Sequence, residues 1–281
     1  MSDGAIIRIQ SDTEQSVAPN ASWIIHGRIL LTLARMTFRE NILNRLPWAV
    51  MTTLGVGMGL ALFVDAASIT ENELIQGAIA GAFFRLMAVF LLTATVIVGV
   101  AREFDDRMVD LTLALPIPRS VYFAGKLLGF AMTAAPMAAI FALGLLPFAP
   151  GDQVLLWSLS LGCELLLMAA LGFLLVLSLT HITPALTAAM ATYLLARTIN
   201  TMVLIASGPL ANLTPMPGKL ILPTLRFLSW LVPDLGRFTS GEWLAYHTGR
   251  WSDLATIALE TLVTLFFLCG AGLFDLYRKN L

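Results

Sequence analysis

Charge is scarce in this sequence. Only 12 % of its 281 residues are Asp, Glu, Lys or Arg, about half the share of a soluble domain. Seventeen basic and eighteen acidic residues leave a net charge of −1. No long-range field draws a polyanion, and nucleic-acid binding is excluded. Cysteine is nearly absent. Cys163 and Cys269 both lie in apolar runs, which excludes a disulfide framework or a thiolate metal cluster. Histidine is as sparse: His181 stands in a short turn and His247 in a loop, neither with metal-ligand company. The sequence holds no Gly-x-x-x-x-Gly-Lys-Ser/Thr phosphate loop, no Gly-x-Ser-x-Gly elbow and no His-Glu-x-x-His pair. It therefore carries no recognisable nucleotide-hydrolysing or catalytic constellation, and no cofactor is expected on it.

What is abundant is apolar surface. Hydrophobic residues make up 58 % and the mean hydropathy is +0.82, the composition of an all-α polytopic membrane protein. A spanning helix needs about 20 mostly apolar residues, and six segments qualify: 47–64, 80–101, 121–148 (with Pro136 inside), 154–179, 183–206 and 254–274. Eleven basic residues precede the first segment, lie in or just beyond the second-to-third connection, or follow the last segment. The opposite side holds four, Lys219, Arg226, Arg237 and Arg250. The basic side reads as cytoplasmic, placing both termini inside a plasma membrane. Residues 1–21 are polar, with no apolar core of a signal peptide, and read as a flexible tail.

Between the spans, 22–46 is broken by five charges, yet Ile24, Ile25, Leu31, Ala34, Phe38, Ile42 and Leu46 recur at helical spacing. This predicts an amphipathic helix along the inner membrane surface, in contact with lipid. The connection between the fourth and fifth segments, at Thr180, His181 and Ile182, is short enough to force antiparallel neighbours. The loop 207–253 is long and rich in proline. Its apolar piece at 220–232 is too short to span and reads as a re-entrant or interfacial helix. Gly55 and Gly59 in the first span, and Gly125 and Gly129 in the third, are spaced four apart and suit close helix packing.

The densest information lies in 101–129, AREFDDRMVDLTLALPIPRSVYFAGKLLG. Six charges crowd into 102–110, followed by Leu111, Leu113 and Leu115, then Pro116 and Pro118. A charged helix, an apolar seat and a proline corner make a protruding knob fit to transmit force from a cytoplasmic partner. The run Arg102, Glu103, Leu111, Leu113, Leu115, Pro116, Ile117, Arg119, Tyr122, Gly125, Lys126, Leu128 and Gly129 resembles the ABC-2 permeases, the membrane subunits of ATP-binding-cassette exporters. The chain departs from that pattern at Val109-Asp110-Leu111, where many relatives carry Gly-Thr-Leu. The resemblance implies a coupling helix within 102–120 that seats in a separate cytoplasmic ATPase, with Arg102, Glu103, Asp106, Arg107, Leu111, Leu113, Pro116 and Arg119 as its contacts. It also implies a bacterial inner membrane, ATP and magnesium on the partner chain, and a second permease subunit, with a homodimer the simplest arrangement.

A different class of function is also open. Glu164, Arg197 and Glu260 fall inside apolar segments, and such residues mark ion pathways in secondary transporters and channels. Glu164 lies 10 residues from Val154, and Arg197 lies 9 from Ala206. At 1.5 Å per residue both are about 15 Å from the same end of adjacent antiparallel helices. They are expected to face each other as a pair.

Overall fold

A computed structural model describes residues 19–67, 72–106, 118–207, 218–231 and 233–278. Among them every regular element is helical: α1 Pro19–Leu43, α2 Leu46–Ala67, α3 Asn72–Asp105, α4 Arg119–Leu145, α5 Gly151–Leu179, α6 Ile182–Ala206, α7 Gly218–Leu231, α8 Gly241–Tyr246 and α9 Trp251–Arg278. Six of these, α2 to α6 and α9, are long and apolar enough to cross a membrane. The chain is an all-α membrane protein.

Helix ends follow local chemistry. Pro118 and Pro150, with φ of −59° and −58°, start α4 and α5, because their fixed φ suits a helix entry. At the far end of α5, Thr180 turns left-handed at φ 58° and its N–H closes on the Val176 carbonyl at 3.2 Å. His181 is extended and α6 begins at once, so α5 and α6 pack as antiparallel neighbours. α2 and α3 both extend beyond the spans expected over 47–64 and 80–101. α2 runs to Ala67 and α3 starts at Asn72, and Gln76 Nε2 donates to Asp65 Oδ1 at 2.7 Å between the two extensions. Pro136 is contained within α4.

α5 is the axis of the bundle and packs against α3, α4, α6, α8 and α9. Trp157, Leu161, Leu165, Phe173 and Leu177 on it are fully buried. Phe173 stacks on Phe123 of α4 with ring centroids 4.7 Å apart, and Phe84 of α3 stacks on Phe141 of α4 at 5.4 Å. Offset stacking of this kind adds to the burial of the rings.

The helix expected over 22–46 begins earlier, at Pro19, a residue favoured in a first helical turn. Residues 1–18 of the expected tail lie outside the described residues. α1 runs parallel to α4. A Cβ added at Gly125 would stand 3.0 Å from Leu33 Cβ, and one at Gly129 only 2.6 Å from Thr37 Cβ and 2.9 Å from the Ala34 carbonyl. One turn on, Asn41 Nδ2 donates to Thr133 Oγ1 at 3.1 Å. The absent side chains of Gly125 and Gly129 are thus what lets α1 dock.

The other glycine pair behaves differently. Gly55 and Gly59 are exposed and nothing lies within 4 Å of an added Cβ at either. The residue of α2 that packs is Gly57, against the Phe84 ring. Gly55 and Gly59 sit on the opposite face, turned away from the bundle, because a helix places residues two apart on different sides.

Gly129→Leu should therefore weaken the fold by about 1–3 kcal/mol, the usual cost of overpacking, while Gly59→Leu should leave it nearly unchanged. Thermal unfolding of the two variants in detergent checks this. Equal midpoints would show that the glycine contact with α1 is not what holds it.

Candidate functional site

Charged groups meet at two places. The first lies inside the bundle, where 233–240, between α7 and α8, dips between the spans. Glu164 of α5 is fully buried, thirteen residues or roughly 20 Å along the helix from Gly151. Its Oε1 lies 3.3 Å from Nη1 of Arg197, so the structure brings the two expected partners together. Isolated, each charge would cost about 2.5–3.5 kcal/mol near a bilayer centre.

The pair does more than neutralise itself. Arg197 Nη1 donates to the Leu235 carbonyl at 2.8 Å, and both its terminal nitrogens reach the Phe238 carbonyl at 3.3 Å. Glu164 Oε2 accepts from Thr239 Oγ1 at 2.7 Å. The Thr239 N–H donates to Ser160 Oγ at 2.9 Å, and Arg85 Nη1 of α3 donates to the Thr239 carbonyl at 2.9 Å. All three polar groups of this fully buried residue are satisfied by side chains of α3 and α5. Thr239 is left-handed at φ 45°, a conformation that costs a non-glycine residue roughly 1–2 kcal/mol. The network holds it there. Glu260 Oε1 of α9 accepts the Asp234 N–H at 2.9 Å, so the loop is fastened from four spans. Arg85 Nε and the Tyr193 hydroxyl are buried beside this network.

The sequence did not mark Ser160, Thr239 or the loop carbonyls. One signal was present: Arg85 stands in a span with no acid near it in sequence, and a lone intramembrane arginine needs acceptors. The proline-rich loop supplies them as backbone carbonyls.

The second cluster lies at the α3–α4 end. Glu103, expected to offer its charge to a partner, instead uses both carboxylate oxygens within the chain. Lys126 Nζ pairs with Oε1, and the Tyr122 hydroxyl donates to Oε2 at 2.9 Å. Both partners sit on α4, three and seven residues past Arg119, the spacing of one helix face. Arg119 also turns inward. Its Nη1 donates to the Leu276 carbonyl at 2.8 Å, closing the α9 terminus, and its guanidinium lies 5.9 Å from the Tyr277 ring centroid. Ser178 Oγ donates to Asp275 Oδ2 at 2.9 Å nearby. Arg102 and Asp106 are exposed. Arg107, Leu111, Leu113 and Pro116 lie outside the described residues.

Neither cluster groups three metal-ligating side chains among the described residues. The first positions a loop; the second clamps the two helices that flank 107–117. Compared with known proteins, the sequence matches no family model, and no curated protein is significantly similar to it.

Replacing Arg197 alone by Met should destabilise the protein by about 3–5 kcal/mol, because Glu164 would stay buried without its cation. Adding Glu164→Gln should recover only part of this, since the Leu235 and Phe238 carbonyls still lack their donor. Unfolding midpoints of the single and double variants decide the matter. A neutral Arg197→Met, or a double variant no better than the single one, would contradict the assignment.

Proposed function

We propose that the chain is the membrane subunit of an ATP-binding-cassette exporter of the ABC-2 kind, working with a separate cytoplasmic ATPase that carries the nucleotide and magnesium. The observation that carries this reading is the 101–129 sequence together with its frame. The segment resembles a coupling region, and the helices on both sides of it are fastened to each other and to α9 through Glu103, Lys126, Tyr122 and Arg119. A partner pushing on 107–117 would therefore move α3 and α4 as one body.

α3 offers a route onward. Glu103 and Arg85 are 18 residues apart on one continuous helix, about 27 Å. Arg85 holds the Thr239 carbonyl of the buried loop, so displacement at one end of α3 is felt by the loop at the other. In this reading Glu164 and Arg197 are positioning residues and not an ion pathway. The outward face of α2, with Gly55 and Gly59 open, is where a second copy of the chain would approach closely enough to enclose a path. The membrane is a bacterial inner membrane with both termini in the cytoplasm.

Affinity purification in mild detergent tests the reading. A soluble ATPase bearing a phosphate loop, identified by mass spectrometry, should co-purify with the wild-type chain. Leu113→Asp combined with Asp106→Arg should release it without lowering the unfolding midpoint. Its reproducible absence from the wild-type preparation, or its retention by the variant, would overturn the assignment.

A further inference from the structure

A cavity of about 790 Å³ lies between α5, α6 and α9, within the size range of small-molecule sites. Its walls are apolar: Leu167, Met168 and Leu171 from α5 face Val263, Phe267 and Leu268 from α9. Tyr193 of α6 lines it as well. That side chain is 1 % exposed, and its hydroxyl stands among Glu164, Arg85 and Arg197 of the network behind. One wall is open, since Val263 and Phe267 are 50 % and 69 % exposed, so a molecule can enter from the side. Arg85 and Arg197 do not line the space.

Glu260 lines this cavity and also a second space of about 500 Å³. Four charged residues line the second space, and three of them are acidic. Arg237 is matched there by Asp234, with Nε and Oδ2 3.0 Å apart. Glu242, Asp253 and Glu260 line it and form no ion pair among the described residues. The two spaces share Glu260 as a wall residue, and along α9 the lining residues Asp253, Ile257, Glu260, Thr264 and Phe267 follow one another at three- and four-residue steps on one helix face. Asp253 to Phe267 spans 14 residues, about 21 Å. The stripe passes from carboxylate to aromatic within the length of an extended amphiphile.

We propose that these neighbouring cavities bind an amphiphile with a cationic head group, its head beside Glu260 and its apolar tail between α5, α6 and α9. The tail fills the apolar space between the spans in place of a lipid chain. The head supplies a counter-charge to Glu260, which forms no ion pair among the described residues. An anionic head would meet three uncompensated carboxylates. This deepens the export reading by giving the cargo a chemical class, and rests on that reading only for calling the ligand a cargo; binding itself needs no ATPase.

The test uses the full chain in nanodiscs of neutral phosphatidylcholine, with radiolabelled dodecyltrimethylammonium as the probe and empty discs as the blank. Saturable binding is expected, displaced by unlabelled dodecyltrimethylammonium and not by equal dodecyl sulfate. Glu260→Gln keeps the acceptor for the Asp234 N–H and should weaken binding about tenfold or more, the worth of one charge-assisted contact. Leu171→Trp, which fills the cavity without touching a charge, should abolish it. No saturable binding above empty discs, equal displacement by dodecyl sulfate, or unchanged affinity in Glu260→Gln would overturn the proposal. Because the discs hold no ATPase, these outcomes are independent of whether an ATPase co-purifies.

Discussion

The fold depends on a demand that hydrocarbon surroundings make: every polar group placed inside an apolar bundle must find its partner within the protein. Segment 233–240 brings bare backbone into the bundle, and Glu164, Arg197, Arg85 and Ser160 bring side chains that would be costly alone. Each set satisfies the other. The Leu235, Phe238 and Thr239 carbonyls take the guanidinium donors, while the Thr239 hydroxyl and N–H go to Glu164 and Ser160. A buried ion pair by itself is a weak source of stability. Here the pair also fixes the loop, because Arg197 and Glu164 each bond directly to it.

That constraint links the two ends of the molecule. α3 carries Arg85 in the network and Glu103 in the clamp on α4, so the loop and the 107–117 flanks share one rigid element. α4 carries Lys126 and Tyr122 for the clamp and, on the same helix, Gly125 and Gly129 for α1. A change in the angle between α3 and α4 would therefore disturb the α1 groove, the clamp and the loop at once. Cores packed at interior density shift between discrete arrangements and do not deform gradually.

Much of this was legible in the residues. Six apolar runs gave six helices, since length and hydropathy alone decide a span. Glu164 and Arg197 were legible as a pair because the two-residue turn at Thr180 and His181 fixes the relative depth of α5 and α6. Gly125 and Gly129 read correctly as packing positions, but α1 as their partner did not, because no local pattern says which neighbour fills a groove. Gly55 and Gly59 carry the same spacing and face outward; spacing marks a face and not its direction. Glu103 and Arg119 looked free for a partner because the groups that claim them, donors on α4 and carbonyls at the α9 terminus, are reached only through tertiary packing. Thr239 and Ser160 were invisible for the same reason.

The central claim is that 233–240 is held inside the bundle by the Glu164–Arg197 network. Hydrogen–deuterium exchange of the loop amides in the detergent-solubilised chain tests it most directly. The Thr239 and Asp234 N–H groups, which donate to Ser160 and Glu260, should exchange as slowly as amides in the middle of α5, and Arg197→Met should speed them toward the rate of an open loop. Fast exchange of both in the wild-type chain, or protection unchanged by Arg197→Met, would contradict the account.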